Sequence, residues 1–404
     1  MKKYDLITPE GTKDILFEEC NIKRCVEENL RGLFSGFGYS EVQTPGLEFY
    51  DVFNKQSSFI PQERLYKLSD AKCRLVVLRP DSTIPIARMV ATRLKDYSLP
   101  IRLFYNQSIY SVTPALAGRS DEEVQTGIEL IGSSSKKADL EVLSLAIQAL
   151  SSFDSDNFRL EIGDIGFFTE LVSKLNIDDN ISEEIRRLIE VKNYPALNDL
   201  IDSIGNNEIT RALKQLPRLF GGAEVFEKAA TLFTDEKTDK ILSELKDLYI
   251  KLSDLNYNGK ITVDLGIVNR TNYYTGVVFR GYLQGCGDSV LSGGRYDKLI
   301  NEFGLDIPAT GFGVNVDSVS SLIRKGKTAC DRKSQIIVFG EKGYEMKALI
   351  TAQSLVNEGR IIENALSDDI NEVKAYAVEN GIKSICVVSD KINYISVEGG
   401  AENE

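Results

Sequence analysis

The sequence of 404 residues predicts an α+β protein, with an antiparallel sheet flanked by helices, a helical insertion and a small C-terminal α/β domain. Three observations lead to this prediction. The chain is longer than one compact core usually holds. Short apolar runs typical of strands alternate with long helical stripes, and one long stretch is helical throughout. Hydrophobic residues make up 42% of the chain, which is enough to fill such cores.

The first third of the chain begins with a helix and continues into strands. Residues 18–38 place Val26, Leu30 and Phe34 on one helical stripe, and an extended run follows at 39–44. Further apolar runs are typical of strands, and a helix follows the last of them. These segments are 74–79, 101–105 and 124–131, and the helix carries Val142, Leu143, Ala146, Ala149 and Leu150.

The middle of the chain, from about 173 to 258, has only helical periodicity and is predicted to be an insertion. Strand patterns return at 260–266, 274–281 and 288–291. We therefore expect the first sheet to be completed after the insertion, so that its core is discontinuous in sequence.

A polar, basic stretch at 325–333 separates the core, predicted to span 1–324, from a small α/β domain over 334–404. The last domain alternates strand, helix and strand patterns. Its six basic and twelve acidic residues give it a charge of −6, which is unfavourable for RNA binding.

The composition excludes several kinds of chemistry. The chain has no histidine, which excludes Ser-His-Asp and Cys-His nucleophile systems, histidine general bases and mixed Cys/His metal sites. Its six cysteines include no CxxC pair, so no four-cysteine zinc site is indicated. We predict no metal and no cofactor.

The charge and the N-terminus indicate the surroundings of the protein. Sixty acidic against 48 basic residues give a net charge of −12, which repels nucleic acid at long range. Residues 1–5 contain two lysines but no apolar run follows them, and no segment is long enough to span a bilayer. The sequence therefore predicts a cytoplasmic protein that binds no membrane, with nucleic acid an unfavoured partner.

Phosphate-binding loops are absent from the sequence. There is no GxxxxGK[ST] motif. The pairs Gly285/Gly287 and Gly311/Gly313 lack the third glycine of a dinucleotide fingerprint, and we predict that they are turn glycines.

Six segments, taken in order and spacing, resemble histidyl-tRNA synthetase, a class II aminoacyl-tRNA synthetase, from end to end. They are Gly11–Ile15, Tyr39–Glu48, Leu78–Thr83, Gln125–Gly132, Asn269–Gly276 and Gly293–Asp297. The resemblance implies the class II fold, and it implies that the C-terminal domain is similar to an anticodon-binding domain. The first two segments resemble the dimer-forming motif, which implies a dimer.

The resemblance also implies a histidine-binding site made of six residues: Asp81, Thr83, Gln125, Glu129, Tyr273 and Tyr274. Asp81 would pair with the ligand ammonium, assisted by Thr83 and Gln125. Glu129 and Tyr274 would hold the two imidazole nitrogens. The alternative is that each is an ordinary residue of an inherited scaffold.

Three positions where the family carries arginines for ATP are neutral in this chain. Ser111 and Ser318 occupy two of them, and Asn269 aligns with a third, although Arg270 is adjacent. Fixed positive charge around the phosphates is a main source of transition-state stabilisation in such reactions, so losing two of these arginines should cost several kcal/mol. The usual partner of the ligand carboxylate is also the arginine that aligns with Asn269.

A synthetase-like chain with a histidine site and no ATP apparatus is similar to the regulatory subunits of ATP phosphoribosyltransferase, the enzyme of the first step of histidine biosynthesis. That family is non-catalytic, forms a hetero-oligomer with a short-form catalytic subunit, and allows feedback inhibition by histidine. Two alternatives stay open: a divergent histidyl-tRNA synthetase, and a synthetase-derived module that senses an amino acid or tRNA.

Overall fold

The computed structural model describes residues 4–55, 60–113, 120–255, 257, 259–268, 273–325 and 334–397. The chain divides into two compact units, Met1–Thr328 and Ala329–Glu404. The predicted limits of 1–324 and 334–404 stay predictions. Apart from Lys325, the predicted linker lies outside the described residues.

The secondary structure alternates strands and helices along both units. The helices are α1 (Phe17–Gly36), α2 (Thr83–Arg93), α3 (Lys136–Phe153), α4 (Ile165–Ser173), α5 (Asp179–Glu190), α6 (Tyr194–Ile204), α7 (Glu208–Gln215), α8 (Glu224–Leu232), α9 (Glu236–Ser253), α10 (Val316–Lys325), α11 (Glu345–Asn357) and α12 (Ile370–Glu379). The strands are β1 (Ser40–Glu41), β2 (Leu47–Phe49), β3 (Lys67–Ser69), β4 (Leu75–Leu78), β5 (Ile101–Tyr110), β6 (Glu122–Ile131), β7 (Phe158–Asp164), β8 (Phe220–Gly221), β9 (Ile261–Asp264), β10 (Val277–Leu283), β11 (Leu291–Arg295), β12 (Ala309–Asn315), β13 (Ile336–Gly340), β14 (Ile362–Asn364), β15 (Ser384–Val388) and β16 (Ile392–Ser396).

A nine-stranded sheet forms the centre of the first unit, in the order β1-β5-β6-β12-β11-β10-β7-β9-β8. Its six central strands are β5, β6, β12, β11, β10 and β7, and neighbouring strands within this group are antiparallel. The strands β1 and β9 join the sheet in parallel. The predicted antiparallel sheet is confirmed in its centre, and β10 to β12 complete it after the insertion, as expected.

The predicted strands at 74–79 and 101–105 belong to two different sheets. β4 pairs with β2 and β3 in a separate three-stranded sheet, whereas β5 is a long central strand of the large sheet. Periodicity indicates that a run is extended, but it does not say which strand becomes its partner.

In the described residues between β7 and β9, the regular structure is helical except for the two-residue strand β8. Side-chain caps explain where four of its helices begin. Asp178, Asn193, Asn207 and Asp235 each accept a hydrogen bond from a backbone N–H in the first turn of α5, α6, α7 and α9 respectively. Buried side chains of the helices between β7 and β9, such as Leu171 of α4, join the apolar cluster under the large sheet.

The second unit is a four-stranded sheet in the order β14-β13-β15-β16, with α11 and α12. β13 pairs in parallel with both β14 and β15, and β16 is antiparallel to β15. Two apolar clusters hold it together. Val373 and Ala377 of α12 belong to one of them, and Ala348 and Leu355 of α11 belong to the other.

None of the helices in the described residues combines the length and the apolar character that crossing a bilayer requires. The same residues contain no group of three or more Cys, Asp or Glu side chains arranged to hold a metal ion.

Candidate functional site

A cavity of about 310 Å³ opens on one face of the large sheet. This volume lies at the small end of the range for small-molecule sites, roughly 300–1,000 Å³. All six residues that the sequence singled out line it: Asp81, Thr83, Gln125, Glu129, Tyr273 and Tyr274. Residues from the start of α2, from β6 and from the segment before β10 therefore meet at one point.

Glu129 of β6 lines this cavity and is 1% exposed. Its Oε1 accepts a hydrogen bond from the Thr83 hydroxyl at 2.7 Å, and its Oε2 accepts one from the Tyr296 hydroxyl. The Thr83 hydroxyl thus bonds Glu129, while the Thr83 backbone bonds the Asp81 carboxyl group. The Glu129 carboxyl group is held in place by two neutral donors.

Glycines in β12 make room for the polar side chains of β6. Gly311 pairs with Glu129 across the sheet, and a Cβ atom at position 311 would collide with Glu129 Oε2 and with the carbonyl oxygen of Ile128. A Cβ at Gly313 would lie 2.6 Å from Gln125 Nε2. The prediction that Gly311 and Gly313 are turn glycines was wrong, because both lie inside a strand and open its surface.

Asp81 and the paired tyrosines form the other side of the cavity. Asp81 Oδ1 accepts from the backbone N–H of Ile84 at 2.7 Å, in the first turn of α2, and the Tyr273 hydroxyl also bonds to this carboxyl group. The rings of Tyr273 and Tyr274 lie 4.9 Å apart, and that of Tyr273 contacts Tyr296 at 5.7 Å. Tyr273 therefore positions Asp81, while Tyr274 completes the wall.

Both carboxyl groups are poorly stabilised as anions. Burial raises the pKa of Glu129 to about 8, against the opposing effect of the hydrogen bonds from Tyr296 and Thr83, and the nearby Asp81 raises it further. Burial also raises the pKa of Asp81 to about 6, against the hydrogen bonds that it accepts from Ile84, Thr83 and Tyr273. A ligand that brings positive charge or N–H donors would supply what these carboxyl groups lack.

The raised pKa of Glu129 predicts a measurable effect on stability. Between its ordinary value of 4.5 and about 8, folding binds a proton at Glu129, so its contribution to stability falls as the pH rises. Glu129→Gln removes this titration. We therefore expect the difference in the free energy of unfolding, variant minus unmodified protein, to increase by up to about 1.4 kcal/mol per pH unit within this range. Urea unfolding at pH 5, 6.5 and 8 measures it, and parallel curves for the two proteins would contradict it.

The cavity residues that were not singled out from the sequence include Tyr105, Glu190, Arg280 and Tyr296. Tyr105 donates a hydrogen bond to Gln125 Oε1 at 3.0 Å and so orients that amide. Tyr296 lies in the Gly293–Asp297 segment, and its place in that motif was the only sign in the sequence that it could belong to the site. Glu190 ends α5 and Arg280 lies in β10, where one charged residue interrupts an apolar strand pattern.

The sheet face beyond this cavity continues into two further cavities, of about 170 and 830 Å³. The smaller one shares Gln125 with the first cavity and Glu123 with the larger one. Among the described residues that line these two, none is an arginine, and Glu123 accepts a hydrogen bond from Asn315 Nδ2 at 2.9 Å. The larger cavity is also lined by Lys13, Lys23 and Lys325, so the cations of this part of the surface are lysines beside acidic groups such as Glu123.

Residues at or beside the positions where the resemblance places arginines make other contacts. Asp317, the residue before Ser318, binds Lys23 Nζ at 2.7 Å and the backbone N–H of Val124 at 2.6 Å, so it ties α10 to α1 and β6. The Ser111 hydroxyl accepts a hydrogen bond from Arg64 at 3.3 Å, and neither residue lines the 310 Å³ cavity. Asn269 and Arg270 lie outside the described residues.

Comparison with known proteins relates this chain to one family. The family model described as histidyl-tRNA synthetase matches residues 11–319. A protein of Clostridium acetobutylicum, named ATP phosphoribosyltransferase regulatory subunit, is 43% identical over 95% of both chains. Among solved structures, an ATP phosphoribosyltransferase regulatory subunit/histidyl-tRNA synthetase from Bacillus halodurans superposes with a TM-score of 0.84 at 30% identity, over 96% of this chain and all of the other. Histidyl-tRNA synthetase from Nostoc sp. PCC 7120 shares the fold, with a TM-score of 0.80 at 20% identity over 98% of both chains.

Proposed function

Because the chain belongs to the histidyl-tRNA synthetase family and, within it, to the ATP phosphoribosyltransferase regulatory subunits, we propose that it binds histidine in the 310 Å³ cavity and thereby controls a catalytic subunit. As a regulatory subunit of histidine biosynthesis, it partners the catalytic subunit of ATP phosphoribosyltransferase in a hetero-oligomer. The observation that carries the histidine assignment is the buried Glu129 between Thr83 and Tyr296, in a cavity that also holds Asp81.

The chemistry of the cavity matches the ligand. Histidine has an ammonium group, which Asp81 would bind, and two imidazole nitrogens, for which Glu129 and Tyr274 supply polar partners. Gln125, held by Tyr105, adds an amide beside the ammonium position. Regulation follows if histidine binds one state of the complex more tightly than another, because that difference in affinity is the coupling free energy.

We also propose that the chain has no catalytic activity of its own. Ser111 and Ser318 stand where the resemblance places two arginines for ATP, and the described lining of the adjoining cavities has lysines but no arginine that could bind a phosphate through two N–H groups. We expect histidine-dependent exchange of pyrophosphate into ATP to stay at the level of a protein-free control. Exchange above that level would favour the divergent synthetase instead.

We propose that the first unit self-associates as a dimer, as the segments Gly11–Ile15 and Tyr39–Glu48 imply. Support comes from the three-stranded sheet, where Leu47, Phe49 and Leu75 are each about half exposed. Exposed apolar side chains that cluster on one small sheet are typical of a surface covered by another chain.

The experiment that tests the proposed function mixes the purified protein with a short-form catalytic subunit. We expect a complex in size-exclusion chromatography and a higher phosphoribosyltransferase rate than the catalytic subunit gives alone. A catalytic subunit that neither associates nor changes its rate would rule the proposal out. Salt-dependent tRNA binding in the same preparation would favour the tRNA-sensing alternative.

A further inference from the structure

The lining of the proposed histidine site has more carboxyl groups than cations. Three carboxyl groups line the 310 Å³ cavity, those of Asp81, Glu129 and Glu190, and Glu190 is also paired with Arg186 at 3.3 Å. Within the described part of the chain, Arg280 is its only cationic lining residue. An amino acid, however, carries a carboxylate as well as an ammonium group, and burying that carboxylate without a cation is costly.

Arg280 occupies a place from which it can reach such a ligand. It lies in β10 and pairs in register with Ser292 of β11, which lines the same cavity. Its neighbours Phe279 and Gly281 face the other side of the sheet, where Phe279 belongs to the apolar core and Gly281 lies against Leu150 of α3. The half-buried Arg280 is thus on the cavity face, and its strand is fixed between β7 and β11.

The charge of Arg280 also acts on the site. Burial raises the pKa of Tyr274, and Arg280 opposes that rise by favouring the phenolate. Arg280 also forms a hydrogen bond with Tyr282, and its charge opposes the raised pKa of Asp264, so the guanidinium group acts on several groups beside β10.

We propose that Arg280 binds the carboxylate of the amino-acid ligand, in place of the arginine that the sequence lacks at Asn269. The assignment rests on the proposed histidine site. A guanidinium group matches a carboxylate because two of its N–H groups can bind both oxygens at once. The ligand would then span the cavity, with its carboxylate at β10 and its ammonium group at the start of α2.

A pair of ligands tests this assignment. Histidinol keeps the ammonium group and the imidazole of histidine but carries CH₂OH in place of the carboxylate. In calorimetric titrations, we expect Arg280→Gln to weaken histidine binding by roughly 10- to 100-fold, the usual effect of removing a charge-assisted hydrogen-bonding partner. Histidinol should bind Arg280→Gln and the unmodified protein within about threefold of each other, because it has no carboxylate to lose.

Three further variants are matched controls. Arg159→Gln removes an exposed arginine from the neighbouring strand β7 and should leave both affinities unchanged. Arg280→Lys keeps the positive charge but lacks the paired N–H groups of a guanidinium, so it should recover only part of the affinity for histidine. Arg270→Gln tests the other arginine that the sequence offers, and it should not affect the preference for histidine over histidinol.

Three outcomes would overturn the assignment: an unchanged histidine affinity in Arg280→Gln, an equal loss for both ligands, or a loss of preference that follows Arg270→Gln instead. Unfolding midpoints of the variants separate a local effect from a folding defect. If the unmodified protein binds histidinol as tightly as histidine, the site exists but no residue holds the carboxylate. If it binds neither ligand, the proposed function itself fails.

Discussion

Glu129→Gln is expected to weaken histidine binding by roughly 10- to 100-fold in calorimetric titration at pH 7. The carboxyl group is buried, and its two protein partners, Thr83 and Tyr296, are neutral donors. A bound imidazole can therefore stabilise its anionic form, which glutamine cannot adopt. The same substitution leaves the shape of the cavity almost unchanged, so a loss of affinity reports the charge.

Glu122→Gln is the matched control for this experiment. Glu122 lies at the exposed start of the same strand, bonded to the Tyr110 hydroxyl at 3.0 Å, and does not line the 310 Å³ cavity. Its substitution should change the affinity less than twofold. Equal losses in the two variants, or none in Glu129→Gln, would mean that histidine does not contact Glu129.

Gly311→Ala is expected to destabilise the first unit by about 2–4 kcal/mol and to abolish histidine binding. The added methyl group would collide with the Glu129 carboxyl group and with the carbonyl oxygen of Ile128. The side chain can move aside, but the backbone of β6 cannot do so without losing its pairing with β12. Urea unfolding followed by far-ultraviolet circular dichroism measures the loss, since the chain has no tryptophan.

Gly32→Ala provides the control for the added methyl group. Gly32 lies on the exposed face of α1, and nothing lies within 4 Å of a Cβ at this position. We expect a gain of up to about 1 kcal/mol, because alanine favours the helix. A Gly311→Ala variant as stable as the unmodified protein would show that β12 tolerates a side chain at position 311.

Much of the fold could be predicted because the patterns that specify it are local. The helical spacing of Val26, Leu30 and Phe34 predicts α1, and the helical run before β9 matches α4 to α9. The partners of the strands could not be predicted in the same way. Leu75–Leu78 looks like any buried strand, and only the complete chain places it in the small sheet rather than beside β5.

The site was predicted as far as its residues lie within recognisable motifs. Asp81, Glu129 and Tyr274 were found in this way, and they do line one cavity. Arg280 and Glu190 escaped because each is a single charged residue, one in an apolar strand and one at a helix end, with no spacing to mark it. The role of Gly311 was misjudged, because a glycine that opens a strand surface has the same sequence signal as one in a turn.

The measurement that tests the central claim most directly is histidine inhibition of the reconstituted complex. Catalytic subunit should be assembled in parallel with the unmodified protein and with Glu129→Gln, and the phosphoribosyltransferase rate followed against histidine concentration. We predict that both complexes form and are active, and that the concentration giving half-inhibition rises roughly 10- to 100-fold with Glu129→Gln. Identical inhibition curves for the two complexes would contradict the claim that histidine acts through this cavity.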